Sequence, residues 1–380
     1  MIHYFNPGHE AAVLNGSTFY RPPAKVLKMQ EDLALLPTWY ASPGDYVLFS
    51  CPGQHAVWND KKENLQNQRV DLWGISPHSI YLFEKLSRHY NLQLKIPEWK
   101  AEFRLLGSRF ISHKVLSLLM DEITEIEKDI LPQFFSGIDE IDRILSQSNE
   151  KYLIKSPFSS SGRGLIWLPP GKIARSEKQN ITGMLKKQSQ VSVEKALDKQ
   201  LDFSMHFENT PEGETHFIGY SIFRTNAKGA YEKSILANQE TLEKQITTFI
   251  DRDLLLRVKK TLISLIHKTY SNYYQGNIGV DMLIYKSGDQ YKLNPCVEIN
   301  MRKSMGYLAI RLFENYIYPD SICELVIAYD SFPQLILQRH KEWKKQYPLV
   351  FEDKRIKNGY LNLCPVTETV NYYAYVCAKS

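Results

Sequence analysis

The 380-residue sequence predicts an α/β protein in the broad α+β sense, with an N-terminal α/β domain, a small flap subdomain and an antiparallel-sheet subdomain. Three observations point there. Residues 1 to about 107 alternate strand-like runs such as Tyr46–Phe49 with helical runs such as Ile80–Tyr90. Residues 151–168 place a Gly/Ser loop between two short strand-like runs. Residues 276–300 read as two long strands about a polar, glycine-containing turn.

In the second of these segments, Tyr152-Leu153-Ile154-Lys155 leads into Ser159-Ser160-Ser161-Gly162-Arg163-Gly164 and then Leu165-Ile166-Trp167-Leu168. Gly162 and Gly164 permit close backbone approach, and the serines add hydroxyl donors, so the loop suits an anion such as phosphate. A P-loop or dinucleotide fingerprint would open a helix here. This run instead stops at Pro169-Pro170, which makes it a strand and the whole a strand-flap-strand unit. Taken alone, the segment fits an ordinary Gly/Ser hairpin equally well. Lys155, an ionisable residue closing an apolar strand beside that loop, needs an anionic partner.

In the third segment, alternation puts Asp281 on the face opposite Val280, Met282 and Ile284, and puts Glu298 and Asn300 together on one face. A turn centred near Asp289-Gln290 sets Asp281 opposite Glu298. Facing carboxylates repel unless a cation lies between them, and magnesium favours one or two carboxylates completed by phosphate and water. The bland alternative, a solvated polar face, fits poorly with the apolar neighbours on both strands. Arg302 and Lys303 follow at once and form a cationic edge able to hold a second anion.

The order of these features resembles the ATP-grasp superfamily, in its carboxylate-amine or carboxylate-thiol ligase branches, over residues 108 to 315. The features are a helix lysine in Ser112-His113-Lys114, Lys155 before its flap, Val191-Ser192-Val193-Glu194-Lys195, Asp202, and the Asp281 … Glu298-Ile299-Asn300 set. The resemblance implies that Lys114 and Lys155 contact nucleotide phosphates under the loop of Ser159, Ser160, Ser161, Gly162 and Gly164. It implies an adenine slot along Glu194, Lys195 and Leu197, with Asp202 accepting from the ribose. Asp281, Glu298 and Asn300 would hold one or two magnesium ions, with manganese an acceptable substitute. The Glu-x-Asn-x-Arg form implies that Arg302 binds a carboxylate substrate or its acyl phosphate, so Arg302 and Lys155 are the expected catalytic pair. The implied activity is ATP-dependent joining of a small-molecule carboxylate to an amine or similar nucleophile. A non-catalytic ATP-binding regulator or scaffold and an ATP-grasp phosphotransferase are the alternatives. Each lysine also has an ordinary reading: Lys114 lies in a helical pattern with Val115, Leu118 and Leu119, as an exposed lysine would. Arg224 and Lys228 rank lower, as loop residues of a solvated turn.

The expected domains are 1–107 as a pre-ATP-grasp domain, 108–193 including the flap at about 149–193, 194–330 carrying metal and nucleotide, and 331–380 as an appendage with a terminal hairpin. That hairpin could serve packing, closure of the site or a homodimer. Asn6-Pro7-Gly8-His9-Glu10 is polar and turn-rich enough to line a substrate pocket. A net charge of +5 with mixed signs gives no nucleic-acid stripe. Five cysteines without a CxxC pair favour reduced thiols and a cytoplasmic setting over a disulfide framework or zinc site. No signal peptide is evident, and no uncharged apolar run approaches the roughly 18 residues of a membrane span.

Overall fold

The computed structural model describes residues 1–49, 65–159, 164–226 and 229–378. Sixteen strands form three sheets among these residues. The first sheet is parallel, in the order β2-β1-β3, with β1 Ile2–Tyr4, β2 Tyr46–Leu48 and β3 Val70–Leu72. Helix Pro77–Tyr90 follows it, capped by Ser76, whose side chain accepts from Ser79 N–H. The second sheet is antiparallel, in the order β4-β7-β5-β6, from β4 Gln133–Phe135, β5 Tyr152–Lys155, β6 Leu165–Leu168 and β7 Val191–Lys195.

The third sheet has nine antiparallel strands in the order β12-β11-β8-β9-β10-β13-β16-β15-β14. They are β8 Asp198–Asn209, β9 Thr215–Thr225, β10 Tyr231–Leu236, β11 Gly276–Ser287, β12 Gln290–Asn300, β13 Cys323–Tyr329, β14 Val350–Glu352, β15 Arg355–Asn362 and β16 Tyr372–Ala378. In the tail, β15 and β16 pair with each other, and β16 also pairs with β13, so the tail extends the main sheet. Beneath β8 and β9 lies helix Arg252–Tyr270, whose buried Leu255, Val258, Leu262, Leu265 and Ile266 form one apolar stripe. It begins at Asp251, whose side chain accepts from Asp253 and Leu254 N–H.

Strand β12 ends this sheet, and helix Arg109–Glu122 covers its edge. Ser112 Oγ accepts from Ile299 N–H at 2.9 Å, which satisfies a donor that an edge strand would leave open. Pro295 is tolerated there because it sits opposite an irregularity, where no ladder donor is needed. Ser287 pairs with Gln290, so the hairpin turns at Gly288-Asp289, one residue earlier than the sequence reading centred it; the bulge between Asp281 and Leu283 then sets Asp281 opposite Glu298. Cys296, Cys323, Cys364 and Cys377 carry no disulfide; Cys51 lies outside the described residues. No helix is long and apolar enough to cross a membrane among the described residues.

Candidate active site

A cleft of about 500 Å³ runs between the four-stranded sheet, the floor of β8, β11 and β12, and the N-terminal segment. That is the size range of a small-molecule site. At the flap end, Lys155 is buried at the end of β5 and forms an ion pair with Glu194 of β7, whose carboxylate also accepts from Ser192 Oγ at 3.0 Å. Gly164 has φ +75°, and its carbonyl accepts from Ser156 N–H at 3.1 Å. A Cβ at Gly164 would lie 3.1 Å from Ser156 Oγ and 3.2 Å from Ser159 Cβ, so both conformation and space favour glycine. Trp167 on β6 is half exposed and lines the same wall. Lys195 and Leu197 line it too, with Lys195 Nζ between Asp129 and Glu150 at 3.4 and 3.3 Å. Asp202 accepts from Lys199 Nζ at 2.6 Å and Thr225 Oγ1 at 3.1 Å.

On the floor, Asp281 faces Glu298 across β11 and β12. Ser204 Oγ donates to Asp281 Oδ1 at 2.7 Å, and Asn300 Nδ2 donates to Oδ2 at 2.9 Å. Burial and then the facing Glu298 raise the Asp281 pKa to about 6, against which those hydrogen bonds and Arg302 pull down. The strain of two carboxylates held face to face, with an amide oxygen beside them, is what a hard oxygen-seeking cation relieves, so this donor set fits magnesium. Among the described residues, no group of three or more His, Cys, Asp or Glu gathers at any one place, and the floor offers two carboxylates and one amide oxygen.

The far end of the cleft is held by contacts with the N-terminal segment. Arg302 Nε donates to Glu10 Oε1 at 2.5 Å, and its Nη1 donates to Lys303 O at 3.0 Å. Burial works against the guanidinium charge, but Glu10, Glu298 and Asp281 together outweigh it and raise the pKa. Lys303 Nζ donates to Asp71 Oδ1 at 2.5 Å. Asp71 also bonds His3 at 2.6 Å, His3 bonds Asp45 at 3.0 Å, and Asp45 takes the Met1 ammonium at 2.8 Å. Of the cationic edge, Lys303 is therefore committed to Asp71, while Arg302 lines the cleft beside its partner Glu10. Asn6, the first residue of the polar N-terminal turn, exchanges hydrogen bonds with Gly74 O at 2.7 Å and Gly74 N–H at 3.1 Å, while Pro7 lines the cleft.

Lys155, Ser159, Glu194, Lys195, Leu197, Asp202, Asp281, Glu298, Asn300 and Arg302 thus share one cleft. Gly164 supports it from behind. Ser160, Ser161, Gly162 and Lys228 lie outside the described residues. Lys114 is exposed and is not brought into the cleft. Five residues along a helix turn a side chain roughly 140° away from Arg109, and it is Arg109 that faces inward. Arg109 Nη2 donates to Glu298 Oε2 at 3.1 Å and to Ser159 Oγ at 3.4 Å, and its Nε donates to Ser156 O at 3.1 Å. It ties helix, flap and floor together, and sequence reasoning missed it. A usable signal existed: a cation in the first helical turn opposes the helix dipole and implies an outside partner. Arg224 is exposed outside the lining.

No protein-family model and no curated protein matches this sequence. Solved structures do match. N5-carboxyaminoimidazole synthetase from Staphylococcus aureus, complexed with ADP, aligns over 100% of this chain and 93% of its own, with 13% identity and a TM-score of 0.50. Biotin carboxylase from Campylobacter jejuni, in a β-γ-ATP complex, aligns over 100% and 87% with 10% identity and a TM-score of 0.53. Carboxyaminoimidazole ribonucleotide synthase from Aspergillus clavatus, complexed with ATP, aligns over 100% and 93% with 12% identity and a TM-score of 0.50. At such identities the likeness is one of fold, and the chain has the ATP-grasp fold.

Proposed function

We propose that this protein is an ATP- and magnesium-dependent ligase that activates a carboxylate as an acyl phosphate and transfers the acyl group to an amine or similar nucleophile. The observation that carries the reading is the facing pair Asp281 and Glu298, with Asn300, on the floor of a cleft whose walls bring in Lys155 and Arg109. The named activities of the structural neighbours agree with it in kind.

In this reading Asp281, Glu298 and Asn300 hold magnesium, which supplies neutralisation of phosphate charge. Lys155 and Arg109 bring further positive charge to the triphosphate from the flap and from the helix. Asp202, fixed by Lys199 and Thr225, accepts from the ribose, and the strand Glu194–Lys195 with Leu197 borders the base. Arg302, steadied by Glu10, orients the substrate carboxylate. A carboxylate oxygen attacks the γ-phosphorus, the bond to the β-phosphate oxygen breaks and ADP leaves. The nucleophile then attacks the acyl carbon, phosphate departs, and the amine's proton is lost to solvent or phosphate. Catalysis is positioning and charge neutralisation, without a protein nucleophile. The flap keeps water from the acyl phosphate.

Thermal unfolding with ATP, with and without magnesium, tests the reading in wild type and Glu298→Ala. A magnesium-dependent rise in Tm that the substitution removes, followed by acid-dependent ADP release, is expected. No response of the wild type to any nucleotide at millimolar concentration overturns it.

A further inference from the structure

We infer that the N-terminal-domain end of the cleft takes the uncharged, apolar tail of a monocarboxylate substrate. The inference rests on the ligase reading in using Arg302 as the carboxylate's partner, and it adds the chemical class of the acid.

Two observations carry it. The first is the wall. Pro7, Met29, Trp73 and Met305 line this end of the cleft, drawn from the first loop, helix Ala24–Asp32, the end of β3 and the start of helix Met305–Tyr316. Trp73 is a fixed plate: Phe5 meets its ring edge-on at 5.0 Å, Tyr40 lies 6.3 Å away, and its carbonyl accepts from Lys303 N–H at 2.9 Å. That last bond sets the wall beside Arg302. The two methionines are flexible thioethers that mould to an apolar ligand without fixing one shape.

The second observation is the state of the cations. Arg302 commits Nε to Glu10 and Nη1 to a backbone carbonyl, and among the described residues Nη2 has no hydrogen-bond partner. One carboxylate can use that nitrogen. A second anionic group on the substrate would look to Lys303, which is turned away onto Asp71 and covered by the Tyr40 ring, 5.6 Å from its centroid. Prising Lys303 from a partner on which it is almost wholly buried is costly. A phosphorylated acid or a dicarboxylate would thus bring a charge to an apolar wall with no cation to receive it.

Isothermal titration of the full chain, with and without magnesium and ADP, against straight-chain monocarboxylates from acetate to octanoate tests the pocket. Succinate and 3-phosphoglycerate serve as charged comparators. Affinity is expected to rise about fourfold per added methylene over the first several carbons. Both comparators should bind more weakly than hexanoate. Met29→Arg, with folding verified by its Tm, should weaken octanoate at least tenfold and strengthen 3-phosphoglycerate. Affinity independent of chain length, tighter wild-type binding of 3-phosphoglycerate, or no binding of any acid overturns the inference. Failure of the ligase reading looks different: chain-length-dependent binding without acid-dependent ADP release leaves the pocket and removes the reaction. ADP release driven best by a charged acid keeps the reaction and removes the pocket.

Discussion

At the flap end of the cleft, Lys155 pairs with Glu194 on the neighbouring strand β7, and Lys199 pairs with Asp202 three residues along β8. At the opposite end Arg302 and Lys303 reach Glu10 and Asp71, 292 and 232 residues away in the chain. Both lysines of the first arrangement line the cleft, and Lys199, 40% exposed, stays open to an incoming partner, while Lys155 is buried on Glu194. The second uses its charges to join the N-terminal segment to the chain just beyond β12. One end is built for exchange of partners, the other for fixed geometry, and the difference predicts how substitutions at the two ends will part.

The largest effect belongs to neither end but to the floor between them. Glu298→Gln removes one of two facing carboxylates and reduces the Arg109 ion pair to a neutral hydrogen bond, and ADP release should fall at least about 10²–10³-fold with the fold retained. A loss under tenfold would mean that the facing pair is not the metal site. Next comes the contrast between the ends. Asp71→Ala strands Lys303, whose side chain is only 11% exposed, and should cost about 3 kcal/mol in urea unfolding. Asp202→Ala, by contrast, releases Lys199, whose side chain is 40% exposed, and should change ATP affinity far more than stability. Equal stability losses at both positions would erase the distinction drawn here.

What the sequence disclosed follows the same division. Asp281, Glu298 and Asn300 were legible because two-residue periodicity and a local turn fix a hairpin's face, even though the turn falls one residue early and a bulge restores the pairing. Lys155 was legible because a charged residue closing a buried strand stands out against its neighbours. Glu10, Asp71 and Arg109 were not, since each acquires its role only when distant segments meet. Lys114 shows the complementary failure: family order drew attention to the right helix, but the sequence could not say which of its cations faced inward.

Overpacking offers a smaller and symmetric probe. A Cβ at Gly306 would sit 2.4 Å from His206 Nε2 and 3.0 Å from Ser221 Oγ, under the floor. A Cβ at Gly74 would sit 2.4 Å from the His9 ring, at the N-terminal end. Each Gly→Ala change should cost about 1–3 kcal/mol. Gly306→Ala should also impair turnover because Gly306 lines the cleft, whereas Gly74→Ala should act chiefly on Tm. The reverse pattern would place the active geometry nearer the N-terminal loop than the present reading does.

The same two histidines set a further test, by pH. Burial lowers the pKa of both His9 and His206 from 6.5 to about 4. Between those values the unfolded chain binds protons that the folded chain refuses, so stability falls as pH drops through 6.5 toward 4, by up to about 1.4 kcal/mol per pH unit for each ring. Asp281 works in the opposite sense, since its pKa is raised from 3.8 to about 6 and the folded state takes up the proton first. Two terms against one leave a net loss on acidification. Urea unfolding between pH 7 and 4.5 should show a shallower acid slope in His206→Asn and in His9→Gln, and a steeper one in Asp281→Asn. Whichever histidine variant flattens the slope more identifies the end of the cleft that yields first to acid: the floor beneath β8 if it is His206, the N-terminal latch beside Glu10 if it is His9. Unchanged slopes in both would mean that neither ring stays neutral in the folded protein, and that the acid loss arises elsewhere.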